Sequence, residues 1–138
     1  MTEFALHAHP GIGPKVEGEA LVAADNFSAR YDLDRIKGVF SRPSHKLAGR
    51  SYVGRVLVLN AAKGGVATAW MLNEMAARGM APLALLLNAA NPIMAQGAAF
   101  ANFPLLDRFE RDVTEAIRTG DRVVVDPAAG LVVVRRRA

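Results

Sequence analysis

The stretch Asn60-Ala61-Ala62-Lys63-Gly64-Gly65 holds the residues best spaced for chemistry. It separates the most apolar run of the chain from a segment with helical spacing, so it reads as a strand-to-helix turn. Glycines at 64 and 65 let backbone N–H groups face a ligand, the helix start adds partial positive charge, and Lys63 adds a full one. A carboxylate or phosphate is the ligand such a turn favours. The Gly-Lys-Ser/Thr order of a Walker A loop and the three spaced glycines of a dinucleotide fingerprint are both missing. Taken alone, the turn also fits a plain tight connection with a solvent lysine.

Three other groups of residues have the chemistry for a role. His7 and His9 form a His-x-His pair, but no third ligand accompanies them, and no metal site is expected. His45, in Ser44-His45-Lys46, is a candidate general acid or base, or a hydrogen-bonded structural histidine. Asp32 and Asp34 alternate along the chain and so face opposite ways in a strand, with Arg30 and Arg35 as ready salt-bridge partners.

These groups depend on the elements around them. Residues 1–14 end in Pro10-Gly11-Ile12-Gly13-Pro14 and read as a mobile N-terminal arm. Residues 15–138 read as one domain. Val16 to Val22 is a first strand; residues 25–49 are irregular, long for a compact domain and typical of a functional or partner-packed segment. Ser51 to Leu59 is a strand suited to burial on both faces. Val66 to Arg78 is a helix stopped by Gly79, and Leu83 to Leu87 a second buried strand. Pro92 opens a short helix through Ala98. Phe103 to Asp107 is extended, Glu110 to Arg118 forms one or two helical turns, and Arg122–Val125 with Leu131–Val134 makes a C-terminal hairpin. The class is α/β, centred on a βαβ unit with parallel strands.

The 138 residues are enough to bury a core without staples. No cysteine is present, which excludes disulfides, thiolate metal sites and cysteine nucleophiles supplied by this chain. Hydrophobic residues make up 51%, more than a solitary domain requires, which points to a partner surface. The net charge of +4 is scattered or gathered in the terminal run Arg135–Arg137, read as a solvated tail, so no nucleic-acid surface is expected. No stretch spans a bilayer and no secretory signal opens the chain, so the expected location is cytoplasmic.

The order of landmarks resembles the small subunit, or swivel domain, of the aconitase X family. The carriers are Gly18-Glu19-Ala20-Leu21-Val22, His45 to Ser51 leading into Gly54-Arg55-Val56-Leu57-Val58, and Lys63-Gly64-Gly65. They continue through Gly79-Met80-Ala81-Pro82, Asn88 with Asn91-Pro92-Ile93, Gly97, Pro104 to Arg108, and Thr119 to Val123. The resemblance implies a swivelling β/β/α domain, like the fourth domain of aconitases, set over a site supplied mostly by a large catalytic subunit. It implies that an iron–sulfur cluster sits in that large subunit and that this chain alone binds no cofactor.

The activity so implied is elimination of water from a small hydroxy acid, of the cis-3-hydroxy-L-proline kind in bacterial members and phosphomevalonate in archaeal ones; the former is the expectation for this chain. Substrate contacts are expected from Lys63, Gly64, Gly65, Asn88 and His45. Relatives have Gly-Ser in the turn, the serine being the expected base, whereas this chain has Gly64-Gly65. Glycine transfers no proton, so Thr68 or Lys63 is the candidate replacement; otherwise the base comes from the large subunit, or the reaction differs. The alternative reading is a binding or regulatory swivel module that lost catalysis with the serine.

Overall fold

The computed structural model describes residues 2–27, 32–62, 66–90 and 92–136, with side chains except at 66–69, 72 and 100. Its strands are β1 (Thr2–His7), β2 (Val16–Val22), β3 (Leu33–Asp34), β4 (Val39–Phe40), β5 (Val56–Ala61), β6 (Ala84–Ala89), β7 (Leu105–Leu106), β8 (Arg122–Asp126) and β9 (Leu131–Arg136). The helices are α1 (Val66–Ala77), α2 (Pro92–Ala101) and α3 (Val113–Ala116).

One seven-stranded sheet runs in the order β1-β9-β8-β2-β5-β6-β7, and β3 pairs with β4 in a separate ribbon. Its first half is antiparallel and its second half parallel. The change occurs within β2, where Val16–Glu19 pair antiparallel with β8 and Ala20–Val22 pair parallel with β5.

β5 and β6 show why both faces of the parallel half must be covered. Side chains alternate along a strand, so Leu57, Leu59, Leu85 and Leu87 enter one core while Val56, Val58, Ala84 and Leu86 enter another. The first core is closed by Met75 of α1, by Met94 and Ala98 of α2, and by Phe27, Phe40 of β4 and Tyr52, which precedes β5. In the second, Leu6, Val123, Val125, Val132 and Val134 of the antiparallel half lie over the parallel half, with Val113 and Ile117 beside them. The sheet therefore packs against itself, giving sheet, sheet and helices as three layers.

Chain reach requires the same curl. β1 and β7 are the two edges of the sheet, yet His7 pairs with β9 and Ile12 already bridges Leu105 of β7. Five Cα steps reach at most about 18 Å. Six flat strand spacings would span about 29 Å.

The N-terminal segment is accordingly not an arm. Thr2–His7 pair in register with Arg136–Leu131, Leu6 is fully buried, and Gly11 N–H donates to the Pro127 carbonyl at 2.8 Å. Thr-Glu-Phe-Ala-Leu-His carries the alternation of an edge strand, and the exposed edge of β9 gives it a partner. Gly11 sits where a Cβ would lie 2.1 Å from the Leu105 carbonyl oxygen. Gly130, with φ +63°, closes the β8–β9 turn against the Ala8 carbonyl.

The basic C-terminal run also differs from a solvated tail. Arg135 and Arg136 belong to β9. Arg136 donates through Nε and Nη2 to the buried Asp121 carboxylate, at 3.1 and 2.8 Å, and through Nη2 to the Ala116 carbonyl. Arg122 pairs with Glu17 and Arg135 with Glu3 across neighbouring strands, spreading the positive balance among carboxylates.

Candidate active site at the outgoing ends of the parallel strands

Open α/β sheets bind ligands beyond the carboxyl ends of their parallel strands. Here those ends carry amides. Asn60 and Asn88 occupy facing positions near the ends of β5 and β6, between the register pairs Leu59↔Leu87 and Ala61↔Ala89. Asn88 Nδ2 donates to Asn60 Oδ1 at 3.2 Å and to Asp112 Oδ1 at 2.8 Å, while Asn88 Oδ1 accepts from Val113 N–H at 2.9 Å. Asp112 is the N-cap of α3 and also accepts from the backbone N–H and hydroxyl of Thr114. The Asn88 amide, followed by the Thr114 hydroxyl and backbone donors, holds the Asp112 carboxyl below the ordinary carboxylate range, against the smaller opposing effect of burial.

Beyond the pairing with β2, the same side of β5 is continued by residues 23–27. Ala23 N–H donates to Val58 O, Asn60 N–H to Asp25 O and Phe27 N–H to Ala61 O. Asn60 Nδ2 reaches Asn26 Oδ1 at 3.4 Å. On its other side Ala62 N–H donates to Ala89 O, so β5 and its extension are held between two neighbours up to Ala62. Lys63, Gly64 and Gly65 themselves lie outside the described residues. Thr68 falls in the first turn of α1, and its side chain is likewise outside them.

His45 is fixed from within. It is 3% exposed, stacks on Phe40 at 4.5 Å, accepts from Leu47 N–H through Nδ1 at 3.0 Å and sits 2.8 Å from the Asn26 carbonyl through Nε2. With Nδ1 an acceptor, Nε2 is the donor to Asn26. Both ring nitrogens are thus engaged by the protein, and His45 reaches the strand ends through Asn26 rather than directly. Asp25 and Asp32 lie 3.8 and 4.0 Å from Nε2. Burial raises the Asp25 pKa, but N–H donors from Asn26 and Lys46, with the nearby Arg42 guanidinium, outweigh it and leave the carboxyl lowered.

The other acidic residues are structural. Asp32 is buried and accepts from Arg42 Nε, while Asp34 caps the β3–β4 turn through Ile36 and Lys37 N–H. Arg42 is thus one ion-pair partner of Asp32, and Arg30 lies outside the described residues. His7 is exposed at the end of β1. His9 lines a cavity of about 290 Å³ together with Gly11, Ala90, Pro92, Asp107 and Arg108, at the ends of β6 and β7. Arg108 has φ +57°, is largely exposed, and donates its N–H to the Asn88 carbonyl. Among the described residues, no group of three or more His, Asp or Glu is placed to hold a metal ion. No described helix is long and apolar enough to cross a membrane.

Comparison with known proteins agrees with this architecture. Residues 5–134 match the model of the aconitase X swivel domain. The chain is 39% identical over 112 residues to the phosphomevalonate dehydratase small subunit of Methanopyrus kandleri, covering 81% of this chain and 83% of that protein. It is 35% identical to the subunit of the same name from Methanothrix thermoacetophila, covering 94% and 93%. The crystal structure of Thermococcus kodakaraensis aconitase X in its holo-form superposes with a TM-score of 0.88 at 26% identity, over 96% of this chain and 98% of that one. Three layers, an antiparallel and a parallel half sharing one sheet, and a match along almost the whole chain together place this protein in the aconitase X swivel-domain family.

Proposed function

We propose that this chain is the small subunit of a two-subunit aconitase X-type hydro-lyase of the cytoplasm, which eliminates water from a small hydroxy acid together with a large catalytic subunit. The observation that carries this reading is the 39% identity to a phosphomevalonate dehydratase small subunit, spread over 83% of that protein. That name, and the same name on further relatives, moves the first substrate to test from cis-3-hydroxy-L-proline to phosphomevalonate. The amides at the strand ends and the basic turn residue Lys63 favour an anionic ligand of either kind.

The chain supplies an iron–sulfur cluster with no thiolate, since it has no cysteine. In this reading the cluster belongs to the large subunit. What this chain contributes is the shape of the strand ends, the glycine turn that closes over the substrate, and a proton acceptor in Lys63 or Thr68. The glycine at 65, where the resemblance places the serine base, favours one second reading: a swivel module that binds the large subunit without taking part in proton transfer.

The test is co-expression with an aconitase X large subunit. A stable complex that dehydrates phosphomevalonate or cis-3-hydroxy-L-proline supports the subunit reading, and failure to associate refutes it. Within an active complex, Lys63→Ala and Thr68→Ala identify the base by a loss of about 10²-fold or more in kcat. A complex that assembles, is inactive, and gains activity with Gly65→Ser establishes the second reading.

A further inference from the structure

The amides of Asn60 and Asn88 face one another across β5 and β6, but they are not equivalent. Asn88 makes three side-chain hydrogen bonds, to Asn60 Oδ1, Asp112 Oδ1 and Val113 N–H, and its carbonyl accepts from Arg108 N–H. Both of its amide protons are spent on the protein. Asn60 is exposed, its Oδ1 is held by Asn88, and its Nδ2 points the other way with one long bond, 3.4 Å, to Asn26. One Asn60 proton therefore has no partner among the described residues. Asn60 stands two residues from the end of the described part of β5 and its extension, three before Lys63.

We propose that Asn60, not Asn88, is the amide that contacts the substrate, donating Nδ2–H to its anionic oxygen, and that Asn88 is a positioning residue that orients Asn60. This deepens the subunit reading and rests on it. An asparagine amide is symmetric in shape, and either end can face a ligand. The Asn88 donor breaks that symmetry, because it accepts only the oxygen of Asn60 as its partner and so sends the Asn60 nitrogen outward. Asp112 completes the device. Its acceptor oxygen fixes which edge of Asn88 carries the donors, and Val113 N–H fixes the other edge. The line from α3 through Asn88 to Asn60 thus converts the start of a one-turn helix into the orientation of a single amide at the outgoing end of β5.

The test is a double-mutant cycle on the small-and-large-subunit complex with phosphomevalonate as substrate. Asn60→Ala is expected to raise KM about tenfold, the loss of one hydrogen bond to a charged group, with kcat less affected. Asn88→Ala is expected to raise KM in the same direction, and the double variant to be no worse than Asn60→Ala, since Asn88 acts through Asn60. Additive losses, or a KM that rises with Asn88→Ala but not with Asn60→Ala, overturn the assignment. The free chain gives a readout that needs no activity: both side-chain amide protons of Asn88 should exchange slowly with solvent by NMR, and one of Asn60 rapidly. Fast exchange at Asn88 also overturns it. A wild-type complex that assembles but neither binds nor converts phosphomevalonate overturns the substrate contact, whereas failure of the subunits to assemble refutes the subunit reading instead.

Discussion

Replacing His45 by phenylalanine separates a histidine that organises the site from one that takes part in the reaction. The ring is 3% exposed and stacked on Phe40, so phenylalanine keeps the shape and the stack. It removes both hydrogen bonds, leaving Leu47 N–H and the Asn26 carbonyl without their partner. A buried group so orphaned costs about 1–3 kcal/mol. Leu47 is buried and Asn26 half-buried, so the sum falls near 2–4 kcal/mol, the Asn26 share being smaller because water reaches it. At about 4 °C per kcal/mol for a domain of this size, the midpoint of thermal unfolding should drop by roughly 8–16 °C. His45→Asn, whose amide oxygen can still accept from Leu47 N–H, should lose about half as much. Urea unfolding and thermal circular dichroism measure both variants, and activity of the complex below the melting range measures the rest. A change under 0.5 kcal/mol for His45→Phe would refute the argument from buried hydrogen bonds. An unchanged stability with abolished turnover would instead put the imidazole in the reaction.

Further substitutions probe the fold and its charges. Leu6→Ala should cost about 2–5 kcal/mol, as for a fully buried leucine; a neutral effect in chemical unfolding would return residues 2–7 to the status of an arm. Gly11→Ala should cost about 1–3 kcal/mol by forcing its Cβ against the Leu105 carbonyl, and loss of protection at Ile12 N–H in hydrogen exchange would locate the damage. Burial raises the pKa of Asp121, but the Arg136 bond, Arg118 N–H and the two guanidinium charges lower it further, so the net shift is downward. A depressed folded-state pKa gives stability that is present above the unfolded value, about 3.9, and is lost as pH falls through the folded one. Asp121→Asn should therefore narrow the stability gap to wild type as pH drops below that value, and a gap that widens in acid would contradict the ion pair.

The parts of the fold legible in the sequence were those whose signal is local. β5, α1 and β6 announced themselves through two runs of four consecutive buried residues and an intervening helical stretch, because burial on both faces removes the need for alternation. β1 has no strong local signal because a proline–glycine cluster follows it and four of its six residues are exposed. What completes β1 is β9, more than a hundred residues away, and no local pattern reports that edge. Arg136 has the sequence signature of a tail for the same reason, since Asp121 becomes its partner only once β8 and β9 pair.

At the candidate site, the sequence points to Asn88 and includes Asn60 only as the start of the glycine turn, while Asn26 and Asp112 receive no role from it. Two signals could have found them: an asparagine at the outgoing end of each of two successive buried strands, and the Asp112-Val113-Thr114-Glu115 pattern of a helix N-terminus. His45 was identified by type, but its two occupied ring nitrogens follow from a loop path that the sequence does not display.

The division of β2 between two partners has a mechanical consequence. Seven residues carry an antiparallel ladder at one end and a parallel ladder at the other, with no linker between the two halves of the sheet. The edges are tied again by the run from His7 to Ile12. Such a body has no joint of its own, because turning one half against the other would shear both ladders of one strand. The pivot of a swivel domain built this way lies outside the sheet, where it meets what it turns over. A cross-link between the subunits would arrest such a motion, and one between β8 and β5 would leave it free.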